Sequence, residues 1–144
     1  MSTSASKERH DAMVSHVVHM MKRGGFEGTK ANLPDSEERP EMVLCRDEMS
    51  GYTPDLTGTR DGRHHLIEVK TDDELTDATT REQVRLFASH ADSEGAEFSL
   101  VVPKGCGKAA SKILEECGVF ANVIPVELNW TPWEWRGRPQ PQWI

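Results

Sequence analysis

The sequence predicts an α/β fold, a mixed β-sheet of four to five strands flanked by helices. Three observations carry this expectation. Stretches of helical and strand-like patterning alternate along the chain in the order α, β, β, β, α, β, α, β. Glu97–Pro103 (Glu-Phe-Ser-Leu-Val-Val-Pro), set between two helical stretches, is an apolar run of strand length that reads as buried. Pro54–Lys70 has the pattern of a β-hairpin, two β-tolerant arms about Asp61-Gly62.

The length, 144 residues, suits one domain with a core of its own. Residues 1–7 read as a flexible tail and 129–144 as a Trp/Pro-rich one. The net charge of −7 excludes an overall basic character of the kind that marks many nucleic-acid binders. A local basic rim would have to come from Arg60, Arg63, Arg81, Arg85, Lys104, Lys108 and Lys112. Cys45, Cys106 and Cys117 have no CxxC spacing, which points to reduced thiols and a cytoplasmic protein. No apolar stretch has the length of a signal peptide or membrane span, so no membrane partner is expected.

The first helix is read from about Glu8 to Arg23. Val14, Val17, Val18 and Met21 make its apolar stripe, His10 falls near it, and Gly24-Gly25 ends it. Asp11 lies on the flank of that stripe and Glu8 further round; both read as solvated carboxylates. His16 and His19, three apart, have no local partner for metal and read as surface histidines. Phe26–Asn32 is a short strand, and 33–41 a polar, proline-bearing loop. Met42–Arg46 is a further strand. After the hairpin, 71–77 is acidic. A helix then starts near Thr79 or Thr80, both in capping-box form, with Val84, Phe87, Ala88 and Ala91 inward. Gly105-Cys106-Gly107-Lys108 lacks phosphate-loop spacing and reads as a loop and helix start. Ala109–Cys117 is a helix ended by Gly118, and Val119–Leu128 a last strand. Trp130, Trp133, Trp135 and Trp143 lie in the tail with Arg136 and Arg138, able to dock on the protein or stack on bases.

The hairpin has the most to say about chemistry. With Asp61-Gly62 as a two-residue turn, Arg60 faces Arg63, Thr59 faces His64, Gly58 faces His65, Thr57 faces Leu66 and Leu56 faces Ile67. Asp55 then faces Glu68 in a non-hydrogen-bonded pair, with Cβ atoms about 4.5–5.5 Å apart on one face. Facing carboxylates repel, and a pair held this close needs a cation or a shared proton. Lys70 points to the same side as Glu68, while Leu56, Ile67 and Val69 point to the other. His64 and His65 alternate to opposite faces, which argues against a joint metal site.

Pro54-Asp55, twelve residues, then Glu68-Val69-Lys70 resembles the PD-(D/E)xK nuclease superfamily. Gln83, at the start of the helix that follows, is similar to the glutamine in its resolvase-like and virus-type replication-repair branches. The resemblance spans roughly Asp11 to Cys117. It implies a restriction-endonuclease-like core and a Mg²⁺-dependent endonuclease acting on DNA, with Mn²⁺ able to substitute. It implies Asp55, Glu68 and the Val69 carbonyl as metal ligands, and Lys70 beside the attacking water. Gln83 would bind substrate; its other reading is an ordinary first-turn cap. The first helix of such nucleases often lends an acidic residue, for which Asp11 is better placed than Glu8. Minimal domains of this kind resemble homodimers or accessory subunits. The alternative is a non-catalytic module of the same fold that binds DNA or a protein partner.

Overall fold

The computed structural model describes residues 4–47 and 49–127. The tail 129–144, with both readings of its tryptophans, lies outside the described residues. The elements are α1 (Ser4–Arg23), β1 (Glu27–Ala31), β2 (Val43–Leu44), β3 (Gly51–Tyr52), β4 (Leu56–Arg60), β5 (Arg63–Val69), α2 (Ala78–Glu94), β6 (Glu97–Pro103), α3 (Gly107–Cys117) and β7 (Asn122–Val126). A mixed sheet runs in the order β1-β4-β5-β6-β7, with three helices flanking it. Pairing is antiparallel from β1 to β5 and parallel from β5 to β7. β5 is therefore the central strand and the place where the sheet changes sense.

The hairpin register is the expected one, from Arg60 opposite Arg63 to Leu56 opposite Ile67. Its cause is local. Asp61 (φ 54°) and Gly62 (φ 75°) both take the left-handed conformation that a two-residue turn between twisted strands requires. Alternation along β5 then divides the core in two. Ile67 and Val69 pack with Val14, Val17 and Met21 of α1. Leu66 packs on the other face with Val84 and Phe87 of α2 and Ile113 of α3. Each such side chain, fully buried, contributes about 1.5–3 kcal/mol.

Several expectations shift. α1 starts at Ser4, so residues 4–7 join the helix; Ala5, Lys7 and Glu8 are good helix formers with no breaker among them. His16 is not on the surface. It is 2 % exposed, because it shares a stripe with Met13, Val17 and Met20 at helical spacing. Burial, and the charge of His19, lower its pKa to about 4. The strand read at Met42–Arg46 shrinks to Val43–Leu44 and pairs with β3 outside the main sheet. α2 starts at Ala78 with Asp77 at its N-cap position, so neither Thr79 nor Thr80 is the cap. Thr80 Oγ1 instead donates to the Glu74 carbonyl, 2.5 Å away. α3 starts at Gly107, and the last strand is Asn122–Val126. Among the described residues no helix is long and apolar enough to cross a membrane.

Candidate active site

The C-terminal end of β5 carries Glu68, Val69 and Lys70, and three circumstances place other groups beside them. Antiparallel pairing brings the start of β4, with Asp55, alongside. The parallel pairing of β5 with β6 forces a crossover, and α2, which makes it, begins at this same end of the sheet with Gln83 in its second turn. On the opposite face α1 delivers His10.

The surroundings differ from those of a solvated hairpin face. Asp55 is 7 % exposed, Glu68 2 % and Lys70 7 %. Both faces of β5 are covered by helices, so alternation sends Glu68 under α2 rather than into water. Lys70 Nζ lies 3.3 Å from Glu68 Oε2 and donates to Gln83 Oε1 at 2.5 Å. Asp55, Glu68, Lys70 and Gln83 thus meet in one place. Gln83 is no first-turn cap, since its side chain reaches Lys70.

At Asp55 the strand ladder gives way to side-chain bonds. The Val69 N–H donates to Asp55 Oδ2 at 2.8 Å, and the Asp55 N–H donates to Glu68 Oε1 at 3.1 Å. Each carboxylate holds the other residue's strand end in place. The N–H and C=O of one strand residue point to the same side. The Val69 carbonyl therefore projects toward β4, where Pro54 has no N–H to give it.

The two carboxylates are electrostatically unequal. Burial, and then the charge of Asp55, push Glu68 well above the usual carboxylate range. Burial alone would raise Asp55 too, but the hydrogen bond and charge of His10 outweigh it and hold Asp55 below its ordinary value. The like-charge problem is thus eased at Glu68 by a shift toward the neutral form and by the nearby Lys70 ammonium, and at Asp55 by a cation held against it.

That cation is a residue whose role the sequence did not disclose. His10 Nε2 lies 3.1 Å from Asp55 Oδ2, and Nδ1 lies 3.1 Å from Asp11 Oδ1. Burial acts to lower the His10 pKa. The hydrogen bond and charge of Asp55, the bond to Asp11 and the charge of Glu74 together raise it to about 9. Asp11 is therefore not simply solvated; it is tied to Asp55 through the imidazole. Glu8 is exposed and stands apart. Glu74 itself is anchored, its Oε1 accepting from the Thr71 N–H at 3.0 Å and Thr71 Oγ1 at 2.9 Å. The only sequence signal for His10 was its place at the edge of the apolar stripe of a helix bound to face this sheet.

The other candidates stay apart. His64 is exposed, while His65 is buried on the α1 face against Phe26, ring centroids 4.9 Å apart. Of the basic rim, Arg63, Arg81 and Lys104 are paired with Glu97, Glu116 and Glu127. Among the described residues, no group of three or more His, Cys, Asp or Glu is arranged to hold a metal ion. The chain matches no family model and no curated protein.

Proposed function

We propose that this protein is a metal-dependent nuclease that hydrolyses phosphodiester bonds in DNA, a PD-(D/E)xK-type endonuclease with a restriction-endonuclease-like core. One observation carries the reading: Asp55, Glu68 and Lys70, all buried, converge with the half-buried Gln83 at the end of the central strand. Burying two facing carboxylates costs stability, and such destabilised groups cluster at working sites. The donor set fits a hard divalent ion. Asp55, Glu68 and the Val69 carbonyl offer oxygen ligands of the kind that hold Mg²⁺, with Mn²⁺ as a substitute. When bound, such an ion would supply the positive charge that offsets the phosphoryl oxygens and acidifies water.

The remaining roles belong to the chain itself. Lys70 holds the attacking water and stabilises the negative charge that grows on the phosphoryl oxygens. Gln83 Oε1 fixes Lys70 Nζ, which leaves the Gln83 amide N–H free to donate to a phosphate oxygen. His10 keeps Asp55 ionised and oriented.

The test is incubation with supercoiled, linear, single-stranded and branched DNA, with and without Mg²⁺ or Mn²⁺. Lys70→Ala should fold and bind both metal and DNA, yet cleave about 10²–10³ times more slowly in single turnover. Absence of metal-dependent cleavage of every form by the wild type would overturn the reading.

A second reading has its own support. The carboxylate oxygens are already engaged by His10, Lys70 and backbone N–H groups, and the chain is acidic. These favour a non-catalytic module of the same fold that binds DNA or a protein partner. DNA binding without cleavage would select it. A cytoplasmic homodimer or an accessory subunit is the setting that suits either reading.

A further inference from the structure

A cavity of about 600 Å³ lies at the end of the sheet opposite Lys70. β5, β6 and β7 run parallel, so their first residues Arg63, Glu97 and Asn122 gather at that end, beside the last turns of α2 and α3. Ala91 and Phe98, both buried, give the cavity an apolar floor. Phe120 stands at its rim with 81 % of its surface exposed. The lining is negative. Arg63 pairs with Glu97 at 3.2 Å, which leaves Asp92 as its net charge. The two helices end at this cavity too, at Gly95 and Gly118 in the left-handed conformation, and neither has a basic residue in its last turn. A helix C-terminus favours a cation, yet the last turn of α2 carries Asp92 and Glu94. Two negative helix ends and a carboxylate thus meet over an apolar floor, a break with the local rule that no residue of either last turn offsets.

We infer that this cavity seats the chain's own segment 130–138, Trp-Thr-Pro-Trp-Glu-Trp-Arg-Gly-Arg, with an indole on the floor against Phe120 and a guanidinium at Asp92 and the helix ends. The inference stands apart from the nuclease reading, since no residue of the Asp55 and Glu68 site lines the cavity. Three features argue for this occupant. The first is charge: the segment has two arginines against one glutamate, in a chain whose net charge is −7. A negative lining attracts it and repels the phosphates of a nucleic acid. The second is composition. Pockets of about 300–1,000 Å³ are mostly apolar with a few placed polar groups, and an indole beside a guanidinium answers both parts of this one. The third is reach. The chain leaves the described residues just after β7, whose other end, Asn122, lines the cavity. The way back along β7 is four residues, about 13 Å. Trp133 and Arg136 stand seven and ten residues beyond Val126, a span of up to about 23 and 33 Å, so both can return to the cavity within one chain.

The test is intrinsic tryptophan fluorescence of the full chain without nucleic acid. All four tryptophans lie between 130 and 143, so the signal reports this part of the chain alone. Wild type should emit to the blue of its emission in urea and should resist quenching by acrylamide. Asp92→Lys gives α2 the basic last turn that suits a helix but opposes the arginines. It should keep the circular dichroism of the fold, move the emission to the red and make quenching easier. Phe120→Ser, which removes an exposed ring, should do the same. Arg136→Glu with Arg138→Glu should restore the blue shift in the Asp92→Lys protein. An unshifted wild type, or a shift that survives both single variants, would overturn the inference. So would a shift that appears only with added DNA, the signature of stacking on bases. A shift that appears only as concentration rises, with the mass of a dimer in ultracentrifugation, would place the segment on a second copy and overturn it equally.

Discussion

Replacing His10 with Gln tests the electrostatics on which the site depends. Gln keeps a hydrogen-bonding side chain of similar reach but cannot carry the proton. In the wild type the His10 pKa is raised from 6.5 to about 9. The folded protein thus keeps a proton that the unfolded chain gives up. The stabilisation this provides is complete below pH 6.5, declines as pH rises, and is lost once pH passes 9. At about 1.36 kcal/mol per pH unit, a rise of that size corresponds to at most about 3 kcal/mol. The raised Glu68 has the same sign, since it too holds a proton that the unfolded chain releases, but Glu68 is present in both proteins. Urea unfolding in EDTA at intervals from pH 6 to 9.5 measures the effect. Wild type should exceed His10→Gln most at pH 6, with the gap closing by on the order of 2–3 kcal/mol by pH 9.5. NMR should place the His10 midpoint near 9, and added Mg²⁺ should pull it down, because both cations compete for Asp55. A gap independent of pH, or a His10 midpoint below 7, would refute the ion pair.

Other outcomes follow from the same geometry. Glu68→Gln removes a carboxyl whose charged form burial and Asp55 disfavour, so in EDTA its melting temperature should equal or exceed that of wild type, while metal binding measured by calorimetry is lost; marked destabilisation would mean that the contact with Lys70 outweighs the repulsion from Asp55. Mg²⁺ at about one hundred times its dissociation constant should stabilise the wild type by about 2.7 kcal/mol, and thermal scans should show no gain for Asp55→Ala. Gly62→Ala places a Cβ on a residue at φ 75°, and should cost about 1–2 kcal/mol in urea unfolding; an unchanged midpoint would argue against the left-handed turn.

The parts of the fold that were legible in the sequence are those set by local rules. Asp61-Gly62 chooses a two-residue turn through the φ values it tolerates, and with the turn chosen, every pair from Arg60–Arg63 to Leu56–Ile67 follows by counting. The strand Glu97–Pro103 and the stripes of α1 and α2 are equally local, since the period of apolar residues is written in the chain. Local signals misled where a residue's name outweighed its position. His16 has a surface residue's chemistry on a core stripe, and Thr79 and Thr80 have the form of a capping box within the first turn of the helix already begun at Ala78.

Tertiary structure alone decided the character of the site. That Asp55 and Glu68 face each other can be counted from the hairpin; that neither faces water depends on α2 lying over one side of β5 and α1 over the other. The cation against Asp55 is His10, forty-five residues away in sequence. The acceptor for Lys70 is Gln83, brought there by a crossover whose geometry the parallel pairing of β5 and β6 imposes. Turn type and periodicity depend on a residue and its near neighbours, and so can be read along the chain. Burial and charge environment depend on every group that packing brings within a few ångströms, and those groups are neighbours only once the chain has folded.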